Sequence, residues 1–174
     1  IWVDYFNGET RTAEYRTHVN EMGEVPVLTH KGVKLSQSGV ILDYLAEQTR
    51  RFGPKSDDER REILRWILFD NHKFTSYLAT LRFLIHFAKS GETPVTEFLR
   101  PRVISALKIV DAHLASRDHL EGDFSLADIA IGAYARRWFG VEGISRPAMP
   151  HLERWFERIS IRPGFIQFIA PPMS

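Results

Sequence analysis

The chain has 174 residues, long enough to bury a sizeable core in one or two domains. Apolar content of 44% and charged content of 26% are ordinary for a globular protein, and a net charge of +1 gives no reason to expect a nucleic acid or an anionic membrane as partner. There is no cysteine, which excludes a disulfide framework and a thiolate nucleophile from these residues.

No apolar run is long enough to span a membrane and no secretory signal is visible, so a cytoplasmic location is expected. The seven histidines contain no i, i+4 pair, and no metal site is expected. The first residue is Ile1 rather than Met, so further residues are expected ahead of it.

Ile1 to Phe6 is rich in β-branched and aromatic residues and ends at Asn7-Gly8, which predicts a strand and a turn. Thr10 to Val19 is polar and reads as a loop with a short, irregular helix. Asn20 to Gly23 reads as a turn. Val25 to His30 and Val33 to Leu35 read as two short strands joined at Lys31-Gly32. Gln37 to Gln48 reads as a helix whose apolar residues Val40, Ile41, Tyr44 and Leu45 share one face.

Arg50 to Ser56 combines turn residues with a charge cluster and reads as a linker. The expected division is therefore residues 1–49, a linker 50–56 and an all-helical part 57–174. Asp57, Asp58 and Glu59 suit a helix N-terminus, and the apolar positions that follow carry one helix toward Ala88 with more than one apolar face. The next helix starts at Pro94 behind Thr93 or restarts near Pro101. Its spine is Val103, Leu107, Val110 and Leu114.

Ser125 and Asp128 form a capping box, flanked by Phe124 and Ile129 at the staple positions. The helix behind them carries no charge until Arg136 and should be a buried central helix. Pro150 opens another helix with Leu152, Trp155, Phe156 and Ile159 on one face; one more turn at Phe165–Ile169 precedes Pro171-Pro172.

Two places hold candidate binding chemistry. Pro26 follows Val25 at a strand start, and a cis bond there would turn the Val25 backbone outward toward an extended peptide ligand. At Gln37-Ser38 a helix opens with unpaired N–H groups and a partial positive charge, which suits a carboxylate. Taken locally, the same residues are a strand start and a helix cap, and neither requires a ligand.

The whole pattern resembles the cytosolic glutathione transferase superfamily. Asn20-Glu21-Met22-Gly23-Glu24-Val25-Pro26-Val27-Leu28 is similar to that family's Asn-Pro-x-Gly-Lys-Val-Pro-x-Leu segment. Leu35 to Leu45 is similar to its Leu-x-(Glu/Gln)-Ser-x-x-Ile-x-x-Tyr-Leu segment. Phe124 to Ile129 and Pro150 to Pro163 resemble its C-terminal capping motif and last helix pair. Glu21 stands where the family usually has Pro, and Glu24 where it often has a cation. Glu24 is expected to point to solvent.

The resemblance implies an α/β thioredoxin-like N-terminal domain, incomplete here, and an all-α C-terminal helical bundle. It implies a transferase that directs the thiolate of glutathione, as co-substrate and without a metal, against a small electrophile. The alternative is a non-catalytic protein of the same fold. Val25, across a cis bond to Pro26, would pair with the cysteinyl part of glutathione. Gln37 and Ser38 would hold its γ-glutamyl end.

Phe69, Phe74 and Tyr77 are candidates to line an acceptor-substrate pocket, and Asp70 is placed to reach a ligand in the partner subunit of a homodimer. The hydroxyl that stabilises the thiolate follows the first strand in this family. Only one strand is expected ahead of Val25, so a first strand and helix, with the catalytic residue, are expected before Ile1. Tyr5 is not assigned that role.

Overall fold

The computed structural model describes residues 1–141 and 145–171. The chain divides into two compact units, Ile1–Gly53 and Pro54–Ser174. Pro172 lies outside the described residues.

In the first unit the expected strand at Ile1–Phe6 does not form: Tyr5 to Gly8 is a turn. Asp4 explains the difference. Its carboxylate accepts from the Asn7 main chain and from Asn7 Nδ2 at 2.8 Å. The Asp4 amide in turn donates to Glu9. Such local side-chain bonds offer the backbone an alternative to a ladder. Ile1 and Trp2 are left exposed, with no strand beside them among the described residues.

A 3₁₀ turn at Glu9–Arg11 then leads into α1 (Ala13–His18), where the Thr12 hydroxyl caps by accepting from Tyr15 N. Strand β1 (Val27–His30) pairs antiparallel with β2 (Val33–Ser36), Val27 opposite Ser36 and His30 opposite Val33. The two residues between them, Lys31 and Gly32, both have positive φ, 49° and 80°. That is the backbone of a tight hairpin turn whose twist matches the strands. Helix α2 (Ser38–Thr49) follows directly.

Every element among the described residues of the second unit is helical. Helix α3 (Asp57–Phe69) starts behind Ser56, whose hydroxyl accepts from Glu59 N, with Asp57, Asp58 and Glu59 in the first turn where the dipole favours them. It continues as a π-helix over Asp70–Ala79, an α-turn α4 (Thr80–Arg82) and a second π segment Phe83–Phe87. The wide turns put Asp70, Phe74 and Leu78, four residues apart, on one buried side.

Helix α5 (Pro94–His113) settles the choice left open by its two prolines. It starts at Pro94, capped by Thr93 and Thr96, and runs through Pro101. Its spine Val103, Leu107, Val110 and Leu114 is buried. Asp111, near its end, accepts from the main chain of His151 and Leu152 at 2.9 Å each and so caps α7 (Pro150–Ser160). Helix α8 (Pro163–Phe168) closes the described chain.

Helix α6 (Leu126–Gly140) is the buried centre, with Leu126, Ala127, Ala130, Ile131, Ala135 and Trp138 in the core. Gly132 permits α7 to approach closely: an added Cβ would lie 2.7 Å from Ile159 Cδ1. Ser125 caps α6 as expected, but Asp128 does more than cap. One of its oxygens accepts from Ser125 N; the other accepts from Leu120 N at 3.0 Å and from the Trp155 indole at 2.7 Å. At 1% exposure these bonds have no water to replace them.

Replacing Ser125 by Ala should lower the unfolding free energy by about 1 kcal/mol. Asp128→Ala should lower it by about 3 kcal/mol, because three buried donors lose their acceptor. Denaturant titration reads both; equal losses for the two variants would contradict the role given to Asp128.

Candidate functional site

The first unit builds a surface from two segments, Gly23–Pro26 and Gln37–Ser38. Gly23 has φ +68° and a Cβ there would meet the Thr10 carbonyl at 2.8 Å, so only glycine fits the turn. The next carbonyl, that of Glu24, accepts two hydrogen bonds: from the Tyr15 hydroxyl and from Asn20 Nδ2, both at 2.9 Å. Tyr15 is 3% exposed and Asn20 8%, so the peptide is held from below. The Val25–Pro26 bond is cis. Val25 is 42% exposed, and its N–H and C=O have no hydrogen-bond partner among the described residues.

Across from this segment, Gln37 takes φ 68° and ψ 116°, a strained backbone for a residue with a side chain, and places Ser38 at the first turn of α2. The expected cap does not form. No side chain caps α2, and the Ser38 hydroxyl is exposed with no partner among the described residues. The first amides of the helix, and the positive end of its dipole, are therefore open.

Glu24 joins the two segments. It is exposed, but its carboxylate does not simply face solvent: Oε2 accepts from Gln37 Nε2 at 2.6 Å. The Met22 sulfur also lies 3.9 Å from Ser36 Oγ and 3.8 Å from Gln37 Nε2. The four residues singled out in this unit thus lie on two segments tied through the Glu24 and Met22 side chains. Tyr15 and Asn20, which position the Glu24 peptide, had no separate signal in the sequence.

In the second unit the structure corrects two expectations. Phe74 has no exposed surface; it stacks on Tyr134 at 6.3 Å and meets Phe69 edge-on at 5.8 Å, which makes it core rather than pocket lining. Phe69 and Tyr77 are half-buried: Phe69 packs on Trp66, and Tyr77 lies near His72 and under Lys73. Asp70, expected to reach a ligand in a partner subunit, is instead buried, at 5% exposure. It stands at the start of the π-helical segment.

Burial pushes the Asp70 carboxyl up to about 7, against the pull of the Arg137 guanidinium. Its Oδ1 has no hydrogen-bond partner. Burial, with the nearby charge of Arg137, lowers the pKa of Arg82. Among the described residues no helix is long and apolar enough to cross a membrane, and no group of acidic, histidine or cysteine side chains is placed to hold a metal.

An acid raised in the folded state keeps a proton that the unfolded chain has released. Stability therefore falls as pH rises from about 4 to about 7 and levels off above. The melting temperature of Asp70→Asn should change less over that interval than that of the parent. Parallel pH profiles for the two proteins would contradict the burial of an ionisable carboxyl here.

Comparison with known proteins gives one family. The family model for Glutathione S-transferase, N-terminal domain, matches residues 3–47, and that for Glutathione S-transferase, C-terminal domain, matches residues 74–163. Glutathione S-transferase F10 of Arabidopsis thaliana is 29% identical over 179 residues, covering 97% of this chain and 83% of its own. Glutathione S-transferase GstB of Escherichia coli K12 is 27% identical over 169 residues, covering 90% and 78%.

Among solved structures, the theta class glutathione S-transferase of Xanthomonas axonopodis pv. citri, with glutathione bound, superposes with a TM-score of 0.86 at 27% identity, covering 95% of this chain and 81% of its own. A possible glutathione S-transferase from Rhodopseudomonas palustris gives 0.86 at 29%, covering 100% and 79%.

Proposed function

The chain belongs to the glutathione S-transferase family, with its thioredoxin-like and helical domains, and from that premise we propose that it binds glutathione at Val25, Pro26, Gln37 and Ser38. The observation that carries the reading is the pairing of an unpartnered Val25 backbone beside a cis proline with an uncapped helix start at Ser38. An extended cysteinyl residue needs one acceptor and one donor in line, and the main chain of Val25 offers both. A carboxylate needs oriented donors and positive potential. The Ser38 hydroxyl, the first amides of α2 and the helix dipole supply them. Gln37 adds an amide to the same end of the ligand.

The proposed activity is attack of the glutathione thiolate on a small electrophile: a carbon–sulfur bond forms, and the leaving group departs with its electron pair. None of the described residues is assigned as the hydroxyl that stabilises the thiolate. The protein acts in the cytoplasm as a homodimer in this reading; Leu64 and Leu68, 51% and 58% exposed on α3, give that helix an apolar outer face.

The parent protein should be retained on immobilised glutathione and should turn over chlorodinitrobenzene. Ser38→Ala should weaken glutathione binding by roughly tenfold, the loss of one hydrogen bond to a charged group. Undiminished binding by Ser38→Ala would remove the proposed site. Binding without turnover of any electrophile would leave a binding protein of this fold in place of the enzyme.

A further inference from the structure

The chain has three methionines and no cysteine, so its soft sulfur is all thioether. Met22 is 53% exposed and Met149 is 2% exposed, while Met173 lies outside the described residues. The Met22 amide donates to Asn20 Oδ1 at 3.1 Å, and Asn20 is buried, so the main chain that carries this side chain is fixed. The Met22 sulfur accepts weakly from Ser36 Oγ at 3.9 Å and from Gln37 Nε2 at 3.8 Å.

Gln37 Nε2 carries two N–H groups. One is committed to Glu24 Oε2 at 2.6 Å. The other faces the thioether, a poor acceptor that yields the N–H to any better one. A sulfoxide is a better one. Oxygen adds along a sulfur lone pair, and the lone pairs are what the two donors face, so the new oxygen emerges toward Ser36 and Gln37. Oxidation thus turns an adaptable apolar contact into a strong polar one at the junction of the two segments.

We propose that Met22 is an oxidation site for peroxides, and that its sulfoxide oxygen captures the second N–H of Gln37 and withdraws it from the ligand. In the step with hydrogen peroxide the sulfur gives up two electrons. One peroxide oxygen forms the S–O bond, the O–O bond breaks, and the other oxygen leaves as water with both protons. Reduction by a methionine sulfoxide reductase reverses it. The effect on binding rests on the reading of Val25, Gln37 and Ser38 as a glutathione site; the oxidation itself does not.

The test treats folded parent and Met22→Leu with hydrogen peroxide and then removes it. Mass spectrometry of the digested protein reads oxygen uptake, and calorimetry reads glutathione binding. In the parent, the peptide with Met22 should gain one oxygen well before the peptide with Met149 does. Glutathione should then bind roughly three- to tenfold more weakly, the loss of one hydrogen bond, and methionine sulfoxide reductase should restore it. Met22→Leu should bind glutathione equally before and after peroxide.

Oxygen uptake at Met22 no faster than at Met149 overturns the proposal, and so does an equal loss of binding in Met22→Leu. If Met22 is oxidised and binding is unchanged while Ser38→Ala still weakens glutathione, the switch falls and the site stands. If the untreated parent binds glutathione no better than Ser38→Ala does, the site itself falls and the proposal with it.

Discussion

Two donors on one acceptor organise the first unit of this chain. The Tyr15 hydroxyl and the Asn20 amide both end on the carbonyl of Glu24. That pins the peptide immediately before Val25 from the buried side. Gly23 is needed for the chain to reach it, since any side chain there meets the Thr10 carbonyl. With the carbonyl fixed, the exposed face of Val25-Pro26 and the side chain of Glu24 are fixed as well. Gln37 then closes onto Glu24, and Ser38 is left at the open end of α2. Each step constrains the next: a buried tyrosine and asparagine hold a surface rigid on which nothing else is capped.

The helical unit follows the same principle with a different group. Asp128 gathers the loop at Leu120, the cap at Ser125 and the indole of Trp155 on one buried carboxylate. Asp111 does a smaller version of this for the start of α7. Asp70 is the exception. It is buried but has an unpartnered oxygen among the described residues, and burial accordingly holds its proton on.

Much of this was legible in the chain. Lys31-Gly32 between two short apolar runs specified the hairpin, because only a positive-φ pair turns so tightly with the right twist. Ser125 and Asp128 specified the start of α6, because a cap is a local bond between residues three apart. The resemblance carried Val25, Pro26, Gln37 and Ser38 to the page together.

What was not legible depends on distant or competing contacts. The aromatic and β-branched run at Ile1–Phe6 has strand propensity but joins no ladder among the described residues, and Asp4 and Asn7 bond locally instead. The π-helical turns gave no separate signal, since the long helix already showed more than one apolar face. Without them Asp70 reads as a residue placed toward a partner subunit and Phe74 as pocket lining. The bond from Glu24 to Gln37 spans thirteen residues and two strands, so the sequence alone suggested only solvent.

Val25 and the start of α2 are proposed to hold glutathione together. Titration of glutathione into uniformly ¹⁵N-labelled protein tests it most directly, residue by residue. The backbone amides of Val25 and Ser38 should shift and saturate with one common affinity. Saturable binding that leaves both amides unmoved, or that shifts only residues of the helical unit, would contradict it.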